Sequence, residues 1–429
     1  MPVAVHKFGG GVLSSKKDYA RAASTIRRFE PSVVVVSAAA GVTDELKALV
    51  EVAAAGRLFG KRLQALERKH HSLAAVRIGE IESVFSDLNN WLGRVRQRGK
   101  YSGLMLAKIM SRGEYLSGLI LQSHLPTYSF WPSENGIAAE GSHLKAACDL
   151  KRTKAPPAKS IVTGFYGLDS RNRICLFDRG GSDYTASSLA RVLKAGKVVF
   201  WKNVPGLLTA DPKIVPSPRF IPEIHPEAVV ELTSTGAEIL HHRVIDTLSG
   251  TPTRIFIKGI TDPGKRGTRI TASPRRKVAA IALKQGQALI TVSLRGMGRA
   301  HGVAAAIFGR IKDERIPVDV IATTQESISF TVDGEHALRV VRALSSLRKQ
   351  GYRIVRKNNV AVVGIVGNRL QESLRPTIAA LAALESAGIR PQLMSQSGSG
   401  ISLSFVVEGT KLRDAARAMH DRLFKPRKK

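Results

Sequence analysis

The chain has 429 residues, of which 43% are hydrophobic, and this length and composition predict a globular protein of two or three domains. No apolar run approaches the roughly 20 residues that cross a bilayer, no secretion signal is recognisable, and Cys148 and Cys175 are too few for a disulfide framework, so we expect a cytoplasmic protein with no membrane partner. The formal net charge of +32 favours contact with polyanions, but the basic residues are spread along the whole chain and aromatic residues make up only 6%, which argues against a specific nucleic-acid site.

The first predicted element is the apolar run Val3-Ala4-Val5, which leads into "HKFGGGVLSS". Glycines 9–11 let backbone N–H groups approach a ligand, so a strand followed by this bend can hold a phosphate. The segment is not a P-loop, because Lys7 precedes the glycines and no Gly-Lys-Ser/Thr follows them, and it lacks the G-x-G-x-x-G spacing of a dinucleotide turn. For this stretch alone, a plain tight turn is the alternative.

An α/β pattern continues through the first two thirds of the chain. The predicted strands are residues 33–36, 160–165, 174–177 and 197–201. The predicted helices start at Glu45, fill much of 57–100 and cover 184–193. This order predicts a mainly parallel sheet with ligands at the carboxyl ends of its strands.

An internal repeat begins near residue 285. Its first copy has predicted strands at 288–292, 317–321 and 327–332 and helices at 302–310 and 335–347. Its second copy has predicted strands at 360–366, 391–395 and 402–407 and helices at 374–387 and 411–424. Because "SISFTVDGEHALRVVRAL" and "SLSFVVEGTKLRDAARAM" align without a gap, we expect two related βαββα modules packed as a pair.

Charged side chains occur in three segments that could form a site. In "FDRGGSDYTA", Arg179 offers a fork for a carboxylate, and Asp183 can orient a lysine or a metal. "SRGEYLS" contributes Glu114, and "WKNVPGLLTADPK" leaves a strand for a loop that could hold a nucleotide. Helix caps explain Ser182, Asp183 and Glu114 almost as well, and a plain surface loop has the composition of the third segment.

These segments together resemble those of aspartate kinases. "KFGGGVLSS", "SAAAGVTDEL", "SRGEYLSG", "DRGGSDYTASSLA", "WKNVPGLLTADPKIVPSPR", "GAEILHHRVID" and "GTPTRIFIKGITDPGKRGTRI" occur in the order seen in that family, and the repeat resembles its paired ACT domains. The resemblance implies a three-layer αβα amino-acid kinase domain with a mainly parallel sheet at 1–284. It implies two ferredoxin-like βαββαβ ACT domains at 285–354 and 355–429.

The resemblance also implies an activity. Aspartate kinases transfer the γ-phosphoryl group of ATP to the side-chain carboxylate of L-aspartate, the first step toward lysine, threonine and methionine, with Mg²⁺ bound mainly through the ATP phosphates. Lys7 and Asp183 would be catalytic. The substrate would be bound by Ser37, Ala38, Thr43, Glu114, Arg179, Gly180 and Ser182. ATP would be bound by Lys7, Gly9, Gly10, Gly11, Gly41, Lys202, Asn203, Asp211 and Lys213.

Three residues depart from the family pattern. Gly11 and Val12 replace two hydroxyl residues of the usual glycine bend, and Asn203 stands where an aspartate is common. These departures motivate an alternative hypothesis, a catalytically weakened ACT-containing amino-acid sensor. The core set of Lys7, Glu114, Arg179 and Asp183 is intact, and we therefore expect activity.

The ACT repeat predicts regulation by an amino acid. Asp319 is an acid suited to an effector ammonium group, and Thr324 and Gln325 follow it in the loop "IATTQES". The alternative is a solvated loop end. We expect lysine, threonine or both as effectors, and a homodimer or a dimer of dimers.

Overall fold

The computed structural model describes residues 3–178, 180–234, 240–295 and 301–424. The chain divides into two compact units. The first unit contains Met1–Leu207 and Ile239–Thr271, and the second contains Leu208–Glu238 and Ala272–Lys429. Arg179, one of the predicted substrate-binding residues, lies outside the described residues.

Strands and helices occur throughout the described part of the chain. The strands are β1 (Ala4–Phe8), β2 (Val33–Val36), β3 (Ser129–Trp131), β4 (Ala139–Ser142), β5 (Lys145–Cys148), β6 (Ser160–Thr163), β7 (Tyr166–Leu168), β8 (Ile174–Leu176), β9 (Lys197–Lys202), β10 (Leu207–Leu208), β11 (Phe220–Ile221), β12 (Glu223–Ile224), β13 (Arg254–Gly259), β14 (Thr268–Ile270), β15 (Val278–Ser293), β16 (Ile321–Thr323), β17 (Ser327–Asp333), β18 (Arg353–Gly367), β19 (Leu393–Gln396) and β20 (Ser402–Glu408). The α-helices are α1 (Lys16–Phe29), α2 (Val42–Ala54), α3 (Gly60–Leu73), α4 (Gly79–Arg98), α5 (Gly103–His124), α6 (Gly181–Val192), α7 (Pro226–Ser234), α8 (His242–Leu248), α9 (Val303–Asp313), α10 (Ala337–Ala343), α11 (Ser345–Arg348), α12 (Arg375–Ser386) and α13 (Leu412–Phe424). Within the described ranges, none of these helices combines the length and the apolar character needed to cross a membrane.

The first unit is built on a mainly parallel sheet. Its strands follow the order β14-β13-β9-β1-β2-β6-β3, and β14 is antiparallel to β13. β1 is central and pairs in parallel with β2 on one side and β9 on the other. The predicted α/β class is confirmed, and the carboxyl ends of β1, β2, β6 and β9 lie together at one edge, where such sheets bind ligands.

The alternation of side chains along β1 separates the core from the site. His6 and Phe8 lie against Trp201, with ring centroids 5.7 Å and 6.0 Å from it. Burial lowers the pKa of His6 to about 3, so this imidazole is a neutral core residue. Lys7 lies between them in the sequence and therefore faces the opposite side of the sheet.

Two helices at the ligand edge start earlier than predicted. The helix predicted from Glu45 begins at Val42, and the helix predicted at 184–193 spans Gly181–Val192. Each begins directly after a glycine with positive φ, Gly41 at +76° and Gly180 at +78°. Glycine reaches this conformation without strain, so the chain turns sharply from the strand into the helix and the helix starts close to the sheet.

The second unit contains an antiparallel sheet in the order β16-β17-β15-β18-β20-β19. β15 and β18 are long enough to pair in both halves of this sheet: residues 287–293 of β15 pair with β17, and residues 278–284 pair with the second half of β18. The predicted domain limits at 284/285 and 354/355 each fall inside one of these strands, and they stay predictions. The predicted ferredoxin-like ACT class is confirmed by this sheet and by the family matches given below.

The strand predicted at 317–321 is wrong in position, because the structure places β16 at Ile321–Thr323. Thr331 explains the shift. Its hydroxyl accepts the Val320 N–H at 3.1 Å and its carbonyl accepts the Asp319 N–H at 3.1 Å. The Thr331 hydroxyl therefore takes the place of a backbone carbonyl as acceptor for Val320. The regular ladder of backbone hydrogen bonds begins only at Ile321.

Gly118 lies where α5 packs closely on the sheet. A Cβ added there would overlap the ring of Phe130 on β3. We expect Gly118→Ala to lower the free energy of unfolding by about 1–3 kcal/mol, measured by urea denaturation. Gly93→Ala is the matched control, because a Cβ at this helical glycine of α4 has no neighbour within 4 Å among the described residues, and it should raise stability by up to about 1 kcal/mol. A Gly118→Ala variant as stable as the wild type would contradict the packing.

Candidate functional site

A buried cluster of one acid and two bases lies at the carboxyl end of β1. The Nζ atom of Lys7 lies 2.5 Å from Oδ1 of Asp183, and the two side chains are 6% and 8% exposed. On the other side of the same carboxylate, Nζ of Lys202 lies 3.7 Å from Oδ2. Lys7 comes from β1, Lys202 from the end of β9 and Asp183 from the first turn of α6. Two adjacent parallel strands and one helix therefore build the cluster.

The cluster fixes the charge of its acid. Burial by itself would raise the pKa of Asp183, but the ammonium groups of Lys7 and Lys202 outweigh it and hold the pKa below its ordinary value. Burial also lowers the pKa of Lys7, and the carboxylate of Asp183 opposes that effect. One carboxylate thus lies between two bases, which leaves the cluster with a surplus of positive charge.

The glycine bend lies beside Lys7. A Cβ at Gly9 would stand 3.3 Å from the Lys7 Nζ atom, and a Cβ at Gly10 would stand 2.8 Å from the carbonyl oxygen of Ala38. The N–H groups of Val12 and Leu13 close a short 3₁₀ turn on the carbonyl oxygens of Gly9 and Gly10. In the part of the chain that the structure describes, the N–H groups of Gly10 and Gly11 have no acceptor. The bend therefore presents free donors next to an ammonium group, which suits a phosphate.

Glu114 of α5 contacts the loop that follows β2. Its Oε1 atom accepts the Ala38 N–H at 3.1 Å, and its Oε2 atom is buried without a hydrogen-bond partner among the described residues. Burial raises the pKa of Glu114 to about 8, although the Ala38 hydrogen bond and Lys7 both lower it. An unpartnered buried carboxyl oxygen fits a donor supplied by a ligand.

Most other predicted substrate residues lie at the same edge. Ser37 and Ala38 follow β2 directly, and Thr43 lies in the first turn of α2, just after Gly41. Ser182 is buried against Gly164, where a Cβ would collide with it. The structure therefore brings these residues to the carboxyl ends of β2 and β6, and their contacts with a substrate stay predictions.

Two residues near Asp183 were missed by the sequence reasoning. The ring of His241 lies so close to Gly180 that a Cβ there would meet it at 2.7–2.9 Å, and its charge contributes to lowering the pKa of Asp183. Phe165, which follows β6, has a positive φ of 75°, and its N–H donates to the hydroxyl of Thr185 at 3.1 Å. In the sequence these two residues are marked only by a pair of histidines and by an aromatic residue after a glycine. Both patterns are common in ordinary protein cores, so neither indicates a functional site.

Two predicted nucleotide-binding residues, Asp211 and Lys213, belong to the second unit. Oδ1 of Asp211 accepts the Lys213 N–H at 2.9 Å, so this aspartate caps a turn of its own loop. The role of both residues in nucleotide binding stays a prediction.

The predicted effector acid already has a cationic partner. Nζ of Lys284 lies 2.5 Å from Oδ2 of Asp319 and 3.3 Å from Oδ1 of Asp333. Gln287 donates from Nε2 to Oδ1 of Asp333 at 2.5 Å, and its buried Oε1 atom has no hydrogen-bond partner in the described ranges. These four residues, Lys284, Gln287, Asp319 and Asp333, form what we call the ACT acid cluster.

The other two predicted effector residues lie in the turn between β16 and β17. The hydroxyl of Thr324 accepts the N–H groups of Glu326 and Ser327 at 3.3 Å and 3.0 Å, and Gln325 is exposed. Thr324 therefore stabilises the turn. Their contact with an effector stays a prediction.

Comparison with known proteins agrees with this geometry. A model of the amino acid kinase family matches residues 2–259, and a model of the ACT domain matches residues 290–346 and 363–423. The chain belongs to the amino acid kinase family. The predicted resemblance to aspartate kinases with C-terminal ACT domains is confirmed.

Several known proteins that are similar to this chain are aspartokinases. The chain is 26% identical over 454 residues to the lysine-sensitive aspartokinase 3 of Escherichia coli, covering 98% of this chain and 99% of that protein. It is 26% identical over 445 residues to an aspartokinase of Chlamydia pneumoniae, covering 97% of each. A crystal structure of Escherichia coli aspartokinase III in complex with aspartate and ADP matches with a TM-score of 0.80 and 25% identity, covering 99% of this chain and 100% of that one.

The raised pKa of Glu114 predicts a pH-dependent stability. In the unfolded chain the pKa of this group is its ordinary 4.5, whereas in the folded protein the pKa is raised to about 8. Its contribution to stability is therefore complete below the unfolded pKa and is lost as the pH rises through the folded pKa. Between pH 5 and pH 8, we expect the stability of the wild type to fall relative to that of Glu114→Gln by roughly 2–4 kcal/mol.

Urea denaturation at several pH values measures this difference. Glu51→Gln, a change at an exposed glutamate of α2, is the control and should follow the wild type at every pH. If the wild type and Glu114→Gln respond to pH in parallel, the carboxyl group of Glu114 is ionised in the folded protein and the assignment is wrong.

Proposed function

We propose that the protein is an ATP-dependent aspartate kinase. It transfers the γ-phosphoryl group of ATP to the side-chain carboxylate of L-aspartate, giving 4-phospho-L-aspartate, in the first step of lysine, threonine and methionine synthesis. The observation that carries this proposal is the buried cluster of Lys7, Asp183 and Lys202 beside the free N–H groups of the glycine bend. The similarity to aspartokinases over nearly the whole chain, including one bound to aspartate and ADP, supports the choice of substrate.

The cluster acts on the phosphoryl group being transferred. An aspartate carboxylate oxygen forms a bond to the γ-phosphorus while the bond to the leaving oxygen of ADP breaks, so no covalent enzyme intermediate is required. The N–H groups of Gly10 and Gly11 hold phosphate oxygens. Lys7 stabilises the charge that spreads over the transferring group, and Asp183 holds the Lys7 ammonium in position.

The acceptor site lies on the side of Glu114. Its buried Oε2 atom accepts a hydrogen bond from the ammonium group of aspartate, and the cation drives the proton from the carboxyl group because it stabilises the ionised form. Arg179 holds a substrate carboxylate, and Ser37, Ala38, Thr43, Gly180 and Ser182 line the rest of the site.

Mg²⁺ would be bound by the nucleotide more than by these acids. Asp183 lies between two ammonium groups, and Glu114 is assigned to the substrate ammonium group, so neither carboxylate is left for a metal ion. The phosphate oxygens of ATP would then be the main ligands of Mg²⁺, and the ion would neutralise part of their charge.

Trapping the acyl phosphate with hydroxylamine tests the activity. We expect aspartate-dependent hydroxamate in the presence of Mg-ATP, and a decrease in kcat of at least about a hundredfold in Lys7→Ala, because this variant removes a charge that acts on the transition state. Lys47→Ala, a change at an exposed lysine of α2, is the control and should leave kcat unchanged.

The alternative is a sensor that binds amino acids and no longer turns over, motivated by Gly11, Val12 and Asn203. In that case the wild type would produce no hydroxamate and Lys7→Ala would change nothing. Hydroxamate formed with other acidic amino acids and not with aspartate would contradict the substrate assignment alone.

The ACT acid cluster is the proposed effector site of a homodimer or a dimer of dimers. Asp319 binds the ammonium group of lysine or threonine, and the unpartnered Oε1 atom of Gln287 offers a further acceptor. Lys284 occupies the same acids in the structure, so a cationic effector competes with it. The lysine complex of Escherichia coli aspartokinase III provides a precedent for an effector in a relative.

Titration calorimetry with lysine, threonine and both together tests the effector site. We expect Asp319→Ala to weaken binding roughly ten- to hundredfold, because a charge-assisted hydrogen bond is lost. Lys284→Met should tighten the binding of a cationic effector, because the competing ammonium group is gone. If neither amino acid binds or inhibits, alone or jointly, the regulatory proposal is wrong even where the kinase activity is present.

A further inference from the structure

The end of β9 and the first residue of the loop that follows it contact both parts of the phosphate site. Nδ2 of Asn203 donates a hydrogen bond of 2.5 Å to the carbonyl oxygen of Gly11. The preceding residue, Lys202, lies 3.7 Å from Asp183. Two consecutive residues thus join the glycine bend to the cluster that contains the catalytic lysine.

The contact depends on an amide at position 203. A backbone carbonyl oxygen only accepts hydrogen bonds, so an aspartate in the same place would bring two oxygens together with no proton between them. A Cβ at Gly11 would stand 3.4 Å from the Asn203 Nδ2 atom, which is contact distance. The Asn203 amide therefore lies in contact with position 11 and supplies the donor that the Gly11 carbonyl accepts.

The hydrogen bond fixes one peptide plane of the bend at both ends. The carbonyl group of Gly11 and the N–H group of Val12 belong to the same planar peptide unit. The Val12 N–H donates to the Gly9 carbonyl at 3.0 Å, and the Gly11 carbonyl accepts from Asn203. The Gly9 carbonyl shares a second peptide plane with the Gly10 N–H group, so restraint of the first plane also holds the direction of this free donor.

We propose that Asn203 is a positioning residue for the phosphate-binding bend, and that positions 11 and 203 are energetically coupled. Asn203 acts through the Gly11 carbonyl and orders the bend before the nucleotide arrives, which lowers the cost of binding. Lys202, at the end of β9, contacts Asp183 beside it. Because the two positions are in contact, substitutions at 11 and 203 do not affect ADP binding independently. The proposal rests on the nucleotide site of the proposed function and does not depend on the identity of the acceptor.

A double-mutant cycle with ADP binding as its readout tests the pair. We expect Asn203→Ala and Asn203→Asp each to weaken ADP binding roughly three- to tenfold, with Asn203→Asp the more severe. Gly11→Ser should restore part of the loss in the Asn203→Asp background, because a serine hydroxyl can donate to the new carboxylate. The same Gly11→Ser change in the wild-type background should weaken binding. Gly11→Ser would thus strengthen ADP binding in the Asn203→Asp background and weaken it in the wild type. A purely structural role for Asn203 would not produce this reversal.

Control measurements distinguish the proposed positioning role of Asn203 from effects of added charge or of lost stability. Asn90→Asp adds the same charge on an exposed position of α4 and should leave ADP affinity and thermal stability unchanged. In an active enzyme, the Asn203 variants should raise KM for ATP and leave KM for aspartate within about twofold. Additive effects of the two substitutions, or unchanged ADP affinity in Asn203→Ala, would overturn the proposal. Because ADP binding is measured directly, a wild type that binds ADP and fails to phosphorylate aspartate would contradict only the proposed acceptor.

Discussion

The ion pair between Lys7 and Asp183 is the constraint on which the first unit depends. Removing two charges from water costs several kcal/mol for each ion, and only close pairing in the protein offsets that cost. With a separation of 2.5 Å and side chains less than a tenth exposed, the pair fixes the end of β1 against the first turn of α6. Loss of Asp183 would leave Lys7 buried without its nearest counter-charge, and loss of Lys7 would leave Asp183 with the more distant Lys202.

Close backbone approach is the second requirement, and glycine meets it where a Cβ would collide. At Gly10 the obstacle is the Ala38 carbonyl, at Gly164 it is Ser182, and at Gly180 it is His241. Each contact joins two segments that are far apart in the sequence. The site is thus assembled by glycine backbone packed at contact distance against a second segment of the chain.

The sequence predicts the parts of this arrangement that are local. Short apolar runs identify the strands of the parallel sheet, and short glycine-bearing motifs contain Lys7, Glu114 and Asp183, although Glu114 lies within α5 and does not follow a strand. It does not predict pairings between distant segments, such as Asn203 with Gly11 or Lys284 with Asp319, because no local pattern encodes which loops meet. The wrong position predicted for the strand at 317–321 has the same cause. The hydroxyl of Thr331, which lies on another strand, shifts the start of the backbone hydrogen-bond ladder.

The catalytic cluster around Lys7 and the ACT acid cluster carry charge imbalances of opposite sign, and this difference fits their proposed ligands. At the catalytic cluster, Lys7 and Lys202 flank Asp183, and Glu114 with a pKa of about 8 is mostly neutral at pH 7, so positive charge is in excess among these residues. In the ACT acid cluster, one lysine, Lys284, faces two acids, Asp319 and Asp333, so negative charge is in excess among these residues. An unbalanced charge in a partly desolvated place favours a ligand of the opposite sign. The first cluster is therefore suited to phosphate and the second to an ammonium group, although both use lysine and aspartate.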